Sequence, residues 1–211
     1  HLHTDPPLFW EIDTFYVDDV TPATAVGAVR ACKPNPRHIL ATFTHEPDIL
    51  AAAYADFGYR NGNTMPLMGK VLAGSEYSPL TFSVQRVTDQ AAMNRLNAGE
   101  RQRMPFDHLH VPQLRYYFVE EKGRPICWGR AFYAPDNVIY VSAIETQAEY
   151  RRRGLATALM ETIHADAAAM GQTASCLCAS ELAYELYTKL GYQTITTLLE
   201  LVPKEVAREN D

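Results

Sequence analysis

A basic turn with one glycine, residues 151–156, stands between a strand-like run and a helix-like run. Residues 138–144 before it are rich in β-branched and aromatic side chains, which predicts a strand. After it, apolar residues recur every four positions and predict the buried face of a helix: Leu155, Leu159, Ile163 and Ala167. The first amides of a helix lack intrahelical partners, and Gly154 has no Cβ to hold an anion away from them. The sequence therefore predicts a site for a phosphate-bearing ligand.

The turn is neither of the common nucleotide loops, because no Gly-Lys-Ser/Thr follows and only one glycine is present. The pattern Arg151-x-x-Gly154-x-Ala156 resembles the pyrophosphate loop of the GNAT superfamily of N-acetyltransferases, Gln/Arg-x-x-Gly-x-Gly/Ala. This resemblance implies that the loop's backbone amides hold the pyrophosphate of acetyl-CoA. The loop residues it implies are Arg151, Arg152, Arg153, Gly154, Leu155, Ala156 and Thr157.

A second motif follows in the order expected of that family. Residues 173–178 predict a buried strand, and Ser180 is a good N-cap for a helix from about Glu181. Residues 186–192, Leu-Tyr-Thr-Lys-Leu-Gly-Tyr, resemble the later GNAT motif Leu-Tyr-x-x-x-Gly-Phe/Tyr. Gly191 is expected to cap the helix in the left-handed conformation. The predicted helix faces are one with Leu182, Leu186 and Leu190 and a neighbouring one with Ala183 and Tyr187.

Together the two motifs predict an α/β (α+β) GNAT fold, a central mixed, mostly antiparallel twisted sheet flanked by helices. Residues 79–203 are expected to form the catalytic domain, and residues 204–211 a tail. Within the domain we expect a strand at 81–87 and a helix capped by Thr88 or Asp89 through about Asn97. Strands at 114–120 and 126–133 flank a Lys-Gly-Arg-Pro hairpin signal.

Residues 1–78 are predicted to be a smaller, degenerate α/β half-repeat of the same fold. Thr21 and Pro22 predict a helix start, residues 38–43 a strand, and residues 47–57 a helix that ends at Gly58. Its spacing of tyrosine, hydrophobe, glycine and tyrosine matches residues 182–192, and a strand-like continuation begins near Pro66. The alternative is that any amphipathic helix capped by glycine shows this spacing. The apolar face expected to be buried comprises Ile49, Leu50, Ala53, Tyr54 and Phe57.

The pattern of the loop at residues 151–157, called the anion loop below, has no counterpart before the helix at residues 47–57. We therefore expect one acetyl-CoA per chain and no chemistry in the N-terminal third. We expect this third to cover the catalytic domain and shape a wall of the acceptor site, or alternatively to form a dimer contact; the chain is taken as a monomer or homodimer. The net charge of -6 argues against nucleic acid as a partner. No apolar run has membrane length and no secretory signal is visible, which predicts a cytoplasmic protein. The chain starts at His1, which leaves its native start open.

No metal site is predicted. The four cysteines, Cys32, Cys127, Cys176 and Cys178, do not form paired C-x-x-C units and are expected to be small buried thiols, although a covalent acetyl-cysteine route stays open. His108 and His110 have strand spacing but no third ligand nearby, which favours a surface or substrate-loop role.

The resemblance also implies catalytic residues. Tyr187 matches the tyrosine that protonates the CoA thiolate in many family members, a role suited to a phenol. Ile144, Glu145 and Thr146 match the strand end that pairs with the pantetheine arm, and an amide near Ile144 is expected to polarise the thioester carbonyl. Glu145 is the candidate general base, directly or through water. Ser180 lies near the position of a CoA-contacting Asn in many members, a departure from the pattern, and Tyr140 stands where some members carry a glutamate.

The predicted activity is transfer of an acetyl group from acetyl-CoA to a primary amine by direct attack in a ternary complex. The acceptor stays open between a small polyamine, an aminoglycoside-like compound, an amino acid and a peptide N-terminus. Two alternatives remain: a non-catalytic acyl-CoA-binding or regulatory module, and a transferase for a longer acyl-CoA. Tyr187 distinguishes the first, because a binding module has no need of an acid at that position.

Overall fold

The computed structural model describes residues 13–34, 36–72, 82–98 and 109–204. These residues form strands and α-helices that we number in chain order. The strands are β1 (Thr14–Tyr16), β2 (Ile39–Thr44), β3 (Tyr59–Val71), β4 (Gln85–Arg86), β5 (Leu114–Glu121), β6 (Arg124–Tyr133), β7 (Val138–Thr146), β8 (Ala174–Cys178) and β9 (Gln193–Pro203). The helices are α1 (Pro22–Ala31), α2 (Pro47–Ala55), α3 (Gln90–Asn97), α4 (Leu155–Ala169) and α5 (Glu181–Lys189).

The described strands form one open mixed sheet in the order β1-β2-β9-β3-β8-β7-β6-β5-β4. Pairing is parallel between β1 and β2 and between β7 and β8. It is antiparallel between β2 and β9 and along the meander from β4 to β7. A mixed sheet flanked by helices is the predicted fold class, which is confirmed.

The chain divides into two compact units. Of the described residues, the first comprises 13–34, 36–67, 178–181 and 194–204, and the second comprises 68–72, 82–98, 109–177 and 182–193. The predicted functional division at residue 78 stays a prediction.

The first unit has its own apolar core between its helices and strands. α1 begins where the sequence predicted, because the Thr21 hydroxyl accepts a hydrogen bond from the Thr24 amide at 3.3 Å. The buried core residues are Ala25, Val26, Val29, Leu40, Tyr54, Tyr59, Leu199 and Leu201. Leu50 and Tyr54 on α2 and Phe57 just after it contribute to this core, but Ile49 is 65% exposed and Ala53 is also exposed. The predicted face was wrong at those two positions, because only one 3.6-residue stripe meets the core.

Two glycines terminate helices in the same way. Gly58 after α2 has φ +87° and Gly191 after α5 has φ +86°, so both adopt the left-handed conformation predicted for Gly191. The strand after Gly58 begins at once with Tyr59 and not near Pro66 as predicted. The local geometry of the two helix ends is alike, while the half-repeat itself stays a prediction.

The second unit packs α4 against the strands of the meander. The predicted stripe is confirmed: Leu155, Leu159, Ile163 and Ala167 are each at most 3% exposed. The hairpin between β5 and β6 is also confirmed, with Lys122 and Gly123 at positive φ in a two-residue turn. Asp89 caps α3 through a 2.7 Å hydrogen bond from the Ala92 amide. The predicted strand at 81–87 is described only from residue 82 onward, and in that part the strand is Gln85–Arg86, followed by a 2.9 Å hydrogen bond from the Val87 amide to the Tyr116 carbonyl.

α5 buries a different face from the predicted one. Leu182 is 92% exposed, whereas Tyr187 is 5% exposed and Ala183, Leu186 and Leu190 are partly buried. Residues four apart drift by about 40° around a helix with 3.6 residues per turn, so Leu182 turns away from the stripe that Leu186 and Leu190 keep. The prediction of one face for all three leucines was therefore wrong.

The four cysteines form no disulfide. Cys127 is buried, and Cys176 and Cys178 are partly buried, whereas Cys32 is exposed, contrary to the expectation of a buried thiol.

In the described ranges, no helix is both long and apolar enough to cross a bilayer.

Candidate active site

A β-bulge interrupts β7 close to its end. Trp128 pairs with Glu145 and Arg130 pairs with Ser142, so two steps along β6 correspond to three along β7. The bulge comprises Ala143 and Ile144, and Ala143 has φ +53°, in the left-handed region. Such a bulge interrupts the hydrogen-bond ladder and changes the local direction of the backbone. The peptide groups of these two residues are therefore outside the regular pairing with β6.

Beyond its first residues, β7 separates from its parallel neighbour. The described pairing of β7 with β8 runs only from Val138 with Ala174 to Tyr140 with Cys176. β7 itself continues to Thr146. The unpaired edge of β7 offers backbone groups that an extended ligand can bind as an added strand would.

The anion loop connects β7 to α4. After the 3-10 turn Ala148–Tyr150, Arg152 has φ +64° and Gly154 has φ +83°. Gly154 occupies the N-cap of α4 and has no side chain to cap the helix, and no acidic residue lies in the first turn. Alternating backbone handedness before a helix start points successive N–H groups into one concavity, and the helix dipole adds positive potential there. The predicted loop thus has the geometry of an anion site.

Two of the three arginines stiffen the loop that carries them. Arg151 Nε donates to the carbonyl oxygen of Thr146 at 3.1 Å. An Arg153 terminal nitrogen donates to the Glu149 carbonyl at 3.0 Å, and its guanidinium lies 5.0 Å from the ring centroid of Tyr150. The positive charges of Arg151 and Arg153 therefore lie beside the loop, and their N–H groups hold backbone carbonyls next to it.

Arg152 faces the second helix of the site. Lys189 lowers the pKa of Glu185 on α5 most strongly, through a 2.6 Å ion pair, and Arg152 lowers it further. Arg152 therefore lies close to α5, and a positive charge borders the space between the loop and this helix.

Tyr187 lies on the buried face of α5 and close to the end of β7. Burial, together with the neighbouring Cys127, raises the pKa of Tyr187 to about 12, so its phenol is protonated at neutral pH. Cys127 accepts a hydrogen bond from the Thr146 hydroxyl at 3.2 Å. Burial raises the pKa of the Cys127 thiol to about 11. The structure thus brings the proposed acid, Tyr187, to the strand end that carries Thr146.

A buried polar network holds the aromatic ring beside Tyr187. The rings of Tyr187 and Tyr192 meet edge-on with centroids 5.8 Å apart. The Tyr192 hydroxyl lies 2.7 Å from His164 Nε2 and 2.5 Å from Ser175 Oγ. Tyr192, His164 and Ser175 are each at most 2% exposed. Tyr192 is therefore fixed at both its ring and its hydroxyl, and it gives Tyr187 a rigid neighbour.

His164 makes the folded protein sensitive to acid. Burial, with the nearby Lys70, lowers the pKa of His164 to about 3, and its Nδ1 has no hydrogen-bond partner among the described residues. Between about pH 6.5 and pH 3 the unfolded chain binds a proton at this position and the folded chain does not. We expect this residue to lower the free energy of unfolding by roughly 1.4 kcal/mol for each pH unit lost in that interval.

This expectation is measured by urea unfolding at pH 7, 6, 5 and 4. His164→Gln keeps an acceptor or donor for Tyr192 but does not titrate, so its stability should fall less steeply with acid than that of the unsubstituted protein. Equal slopes in the two proteins would contradict the assignment.

The remaining predicted residues lie as follows. Glu145 is exposed on β7 opposite Trp128, and Ser180 is exposed immediately before α5. Tyr140, also on β7, is 38% exposed. His110 is exposed, and His108 lies outside the described residues. Within the described ranges, no three His, Cys, Asp or Glu side chains are grouped to hold a metal ion.

Sequence reasoning missed three features of this site: the Thr146–Cys127 contact, the network around Tyr192 and the glycine opposite the bulge. The last had a signal. Gly129 interrupts a bulky strand, between Trp128 and Arg130, and a glycine inside a strand often marks a bulge or a close approach.

Comparisons with known proteins agree with this geometry. The family model described as "Acetyltransferase (GNAT) family" matches residues 84–192, which include the bulge, the anion loop and Tyr187. No curated protein sequence matches the chain.

Solved structures share the fold at low sequence identity. A GCN5-related N-acetyltransferase from Kribbella flavida aligns over 90% of this chain and 78% of its own, with TM-score 0.66 and 20% identity. One from Sphaerobacter thermophilus covers 87% and 66%, with TM-score 0.62 and 11% identity. A putative GNAT acetyltransferase from Novosphingobium aromaticivorans covers 69% and 68%, with TM-score 0.53 and 23% identity. With the family model covering half of the sequence, the chain belongs to the GNAT family of acetyltransferases, enzymes of acyl transfer that generally use acetyl-CoA as co-substrate.

Proposed function

We propose that this protein transfers the acetyl group of acetyl-CoA to a primary amine by direct attack in a ternary complex. The observation that carries the proposal is the meeting of three features in one unit. These are the bulged and splayed end of β7, the uncapped anion loop and the buried phenol of Tyr187. Each matches one requirement of the reaction: a docked thioester, a bound pyrophosphate and a proton for the leaving thiolate.

Binding uses the backbone more than side chains. The amides of Gly154, Leu155, Ala156 and Thr157 receive the pyrophosphate, since the helix start has no side-chain cap. Arg151, Arg152 and Arg153 add positive charge around it. The pantetheine arm lies along Ile144, Glu145 and Thr146, on the edge of β7 that β8 leaves unpaired.

The chemical step needs a polarised carbonyl, a neutral amine and an acid. A backbone amide turned outward at the bulge, near Ile144, stabilises the oxyanion of the tetrahedral intermediate. Glu145 is exposed and accepts the proton of the attacking amine, directly or through a water molecule. As the carbon–sulfur bond breaks, the Tyr187 phenol donates its proton to the CoA sulfur. CoA leaves as the thiol, and the acetyl group remains bonded to the amine nitrogen.

The state of Cys127 favours direct attack over a covalent acetyl-cysteine. A thiol must lose its proton to act as a nucleophile, and burial keeps the pKa of Cys127 at about 11. The hydrogen bond from the Thr146 hydroxyl lowers the pKa of this thiol, but the effect of burial is larger. The Cys127 thiol therefore has a structural role at the strand end, and the acceptor amine attacks acetyl-CoA directly.

The test is release of free CoA, followed with a thiol reagent, when acetyl-CoA is mixed with a panel of amines. The panel contains polyamines, aminoglycosides, amino acids and peptides with free N-termini. We expect one class to raise CoA release far above the rate without amine. Stoichiometric acetyl-CoA binding with no transfer to any class would instead favour a binding module, and saturation at two sites per chain would contradict the single loop.

A further inference from the structure

The side chain at the bulge fills the space above a glycine of the neighbouring strand. Gly129 is buried on β6, opposite the bulge. A Cβ on residue 129 would collide with Cδ1 of Ile144, and it would lie 3.5 Å from Cγ1 of Ile144 and 3.2 Å from Cδ2 of Leu159. The terminal methyl of Ile144 thus occupies the volume that any residue other than glycine would take for itself.

Ile144 is more exposed than the core residues around Gly129. Leu159 on α4 is fully buried, while Ile144 is only partly buried. The Cδ1 end of the Ile144 side chain lies over Gly129, where a Cβ would be 3.2 Å from Cδ2 of Leu159. Interiors are packed densely enough that one additional methylene is felt, so this packing leaves no room for a longer chain.

In the proposed reaction, a backbone amide near Ile144 binds the thioester carbonyl. The acyl chain begins at the carbonyl carbon, so its first methylene groups fall beside the Ile144 side chain. We propose that Ile144, seated over Gly129, sets the acyl-chain length of the donor and restricts it to acetyl-CoA. The inference rests on the proposed function and adds to it the residue that selects the donor.

The most sensitive substitution is Ile144→Val, because it removes Cδ1 and keeps both Cγ atoms. Calorimetric titration with acetyl-, propionyl- and butyryl-CoA gives the affinity ratios without any acceptor. The unsubstituted protein should bind acetyl-CoA most tightly. In Ile144→Val the affinity for propionyl-CoA relative to acetyl-CoA should rise by about tenfold or more, as expected for one methylene in an apolar pocket. Ile144→Ala should extend the gain to butyryl-CoA.

A reciprocal substitution tests whether the space over Gly129 is the cause. In the Ile144→Val background, Gly129→Ala places a methyl group where Cδ1 of Ile144 stood, so total volume is conserved. This double variant should regain the preference for acetyl-CoA. Val141→Ala is the matched control: Val141 is 2% exposed on the same strand before the bulge, so its truncation should leave the affinity ratios unchanged.

The outcomes separate this inference from the function beneath it. Circular dichroism first shows which variants are folded. If Ile144→Val is not folded, Ile144→Ala is used for the same measurement. Unchanged ratios in folded Ile144 variants, equal binding of butyryl- and acetyl-CoA by the unsubstituted protein, or a folded double variant that keeps the propionyl gain overturns the inference alone. No binding of any acyl-CoA by the unsubstituted protein overturns the proposed function, and the inference with it.

Discussion

Replacing Gly154 by valine should reduce acetyl-CoA affinity by roughly a hundredfold or more, the loss expected when about two charge-assisted hydrogen bonds are removed. Gly154 has φ +83° at the N-cap of α4, and a β-branched residue is strained there. Relief of that strain rotates the peptide groups that aim at the pyrophosphate. The added side chain also stands where the phosphate must approach the helix start.

A matched substitution separates loss of the anion site from general strain. Gly171 follows the other end of α4 with φ +82°, and a Cβ there would have no atom of the described residues within 4 Å. Gly171→Val therefore carries similar backbone strain, of order 1–3 kcal/mol, but lies away from the loop. Calorimetry should show near-normal acetyl-CoA affinity for Gly171→Val. Equal affinity of a folded Gly154→Val protein would show that the loop does not hold the ligand.

The elements whose evidence is local were predicted well. The loop and α4 follow from a glycine, a basic run and a four-residue apolar spacing, and the stripe of Leu155, Leu159, Ile163 and Ala167 is buried as expected. Thr21, Asp89 and Gly191 act as the caps that their chemistry indicates. These signals need only neighbouring residues, because capping and turn formation are satisfied within a few positions of the chain.

The supporting contacts of the site could not be predicted in this way. His164 and Tyr192 are 28 residues apart, and Ser175 and Tyr192 are 17 apart. Their meeting depends on the order in which strands pair, which periodicity does not encode. The same limit explains Leu182, which has the right spacing to Leu186 for a helix face but has no core opposite it. Periodicity indicates that a face exists, while tertiary packing decides which residues lie on it.

Replacing Tyr187 by phenylalanine should lower kcat by about a hundredfold to ten-thousandfold, the usual contribution of a general acid, with acetyl-CoA affinity nearly unchanged. Phe keeps the ring that meets Tyr192 edge-on and removes only the proton donor. Tyr184→Phe is the matched control, since Tyr184 lies on the same helix but is 42% exposed. Steady-state kinetics with an acceptor from the amine panel and calorimetry with acetyl-CoA measure the two effects. Full activity of Tyr187→Phe would leave this residue a packing role only.

The raised pKa of Tyr187 adds a second test of the same role. A phenol with a pKa of about 12 is fully protonated throughout the physiological range, and an ordinary thiol has a pKa near 8.5. Transfer to a fully formed thiolate is therefore uphill, so the proton moves while the carbon–sulfur bond is breaking. Because the acid form persists up to about pH 12, the dependence of kcat on pH between 6 and 10 should contain no basic limb from Tyr187. A fall in kcat above pH 9 that disappears in Tyr187→Phe would show that this phenol titrates in the working range and contradict the buried, protonated acid.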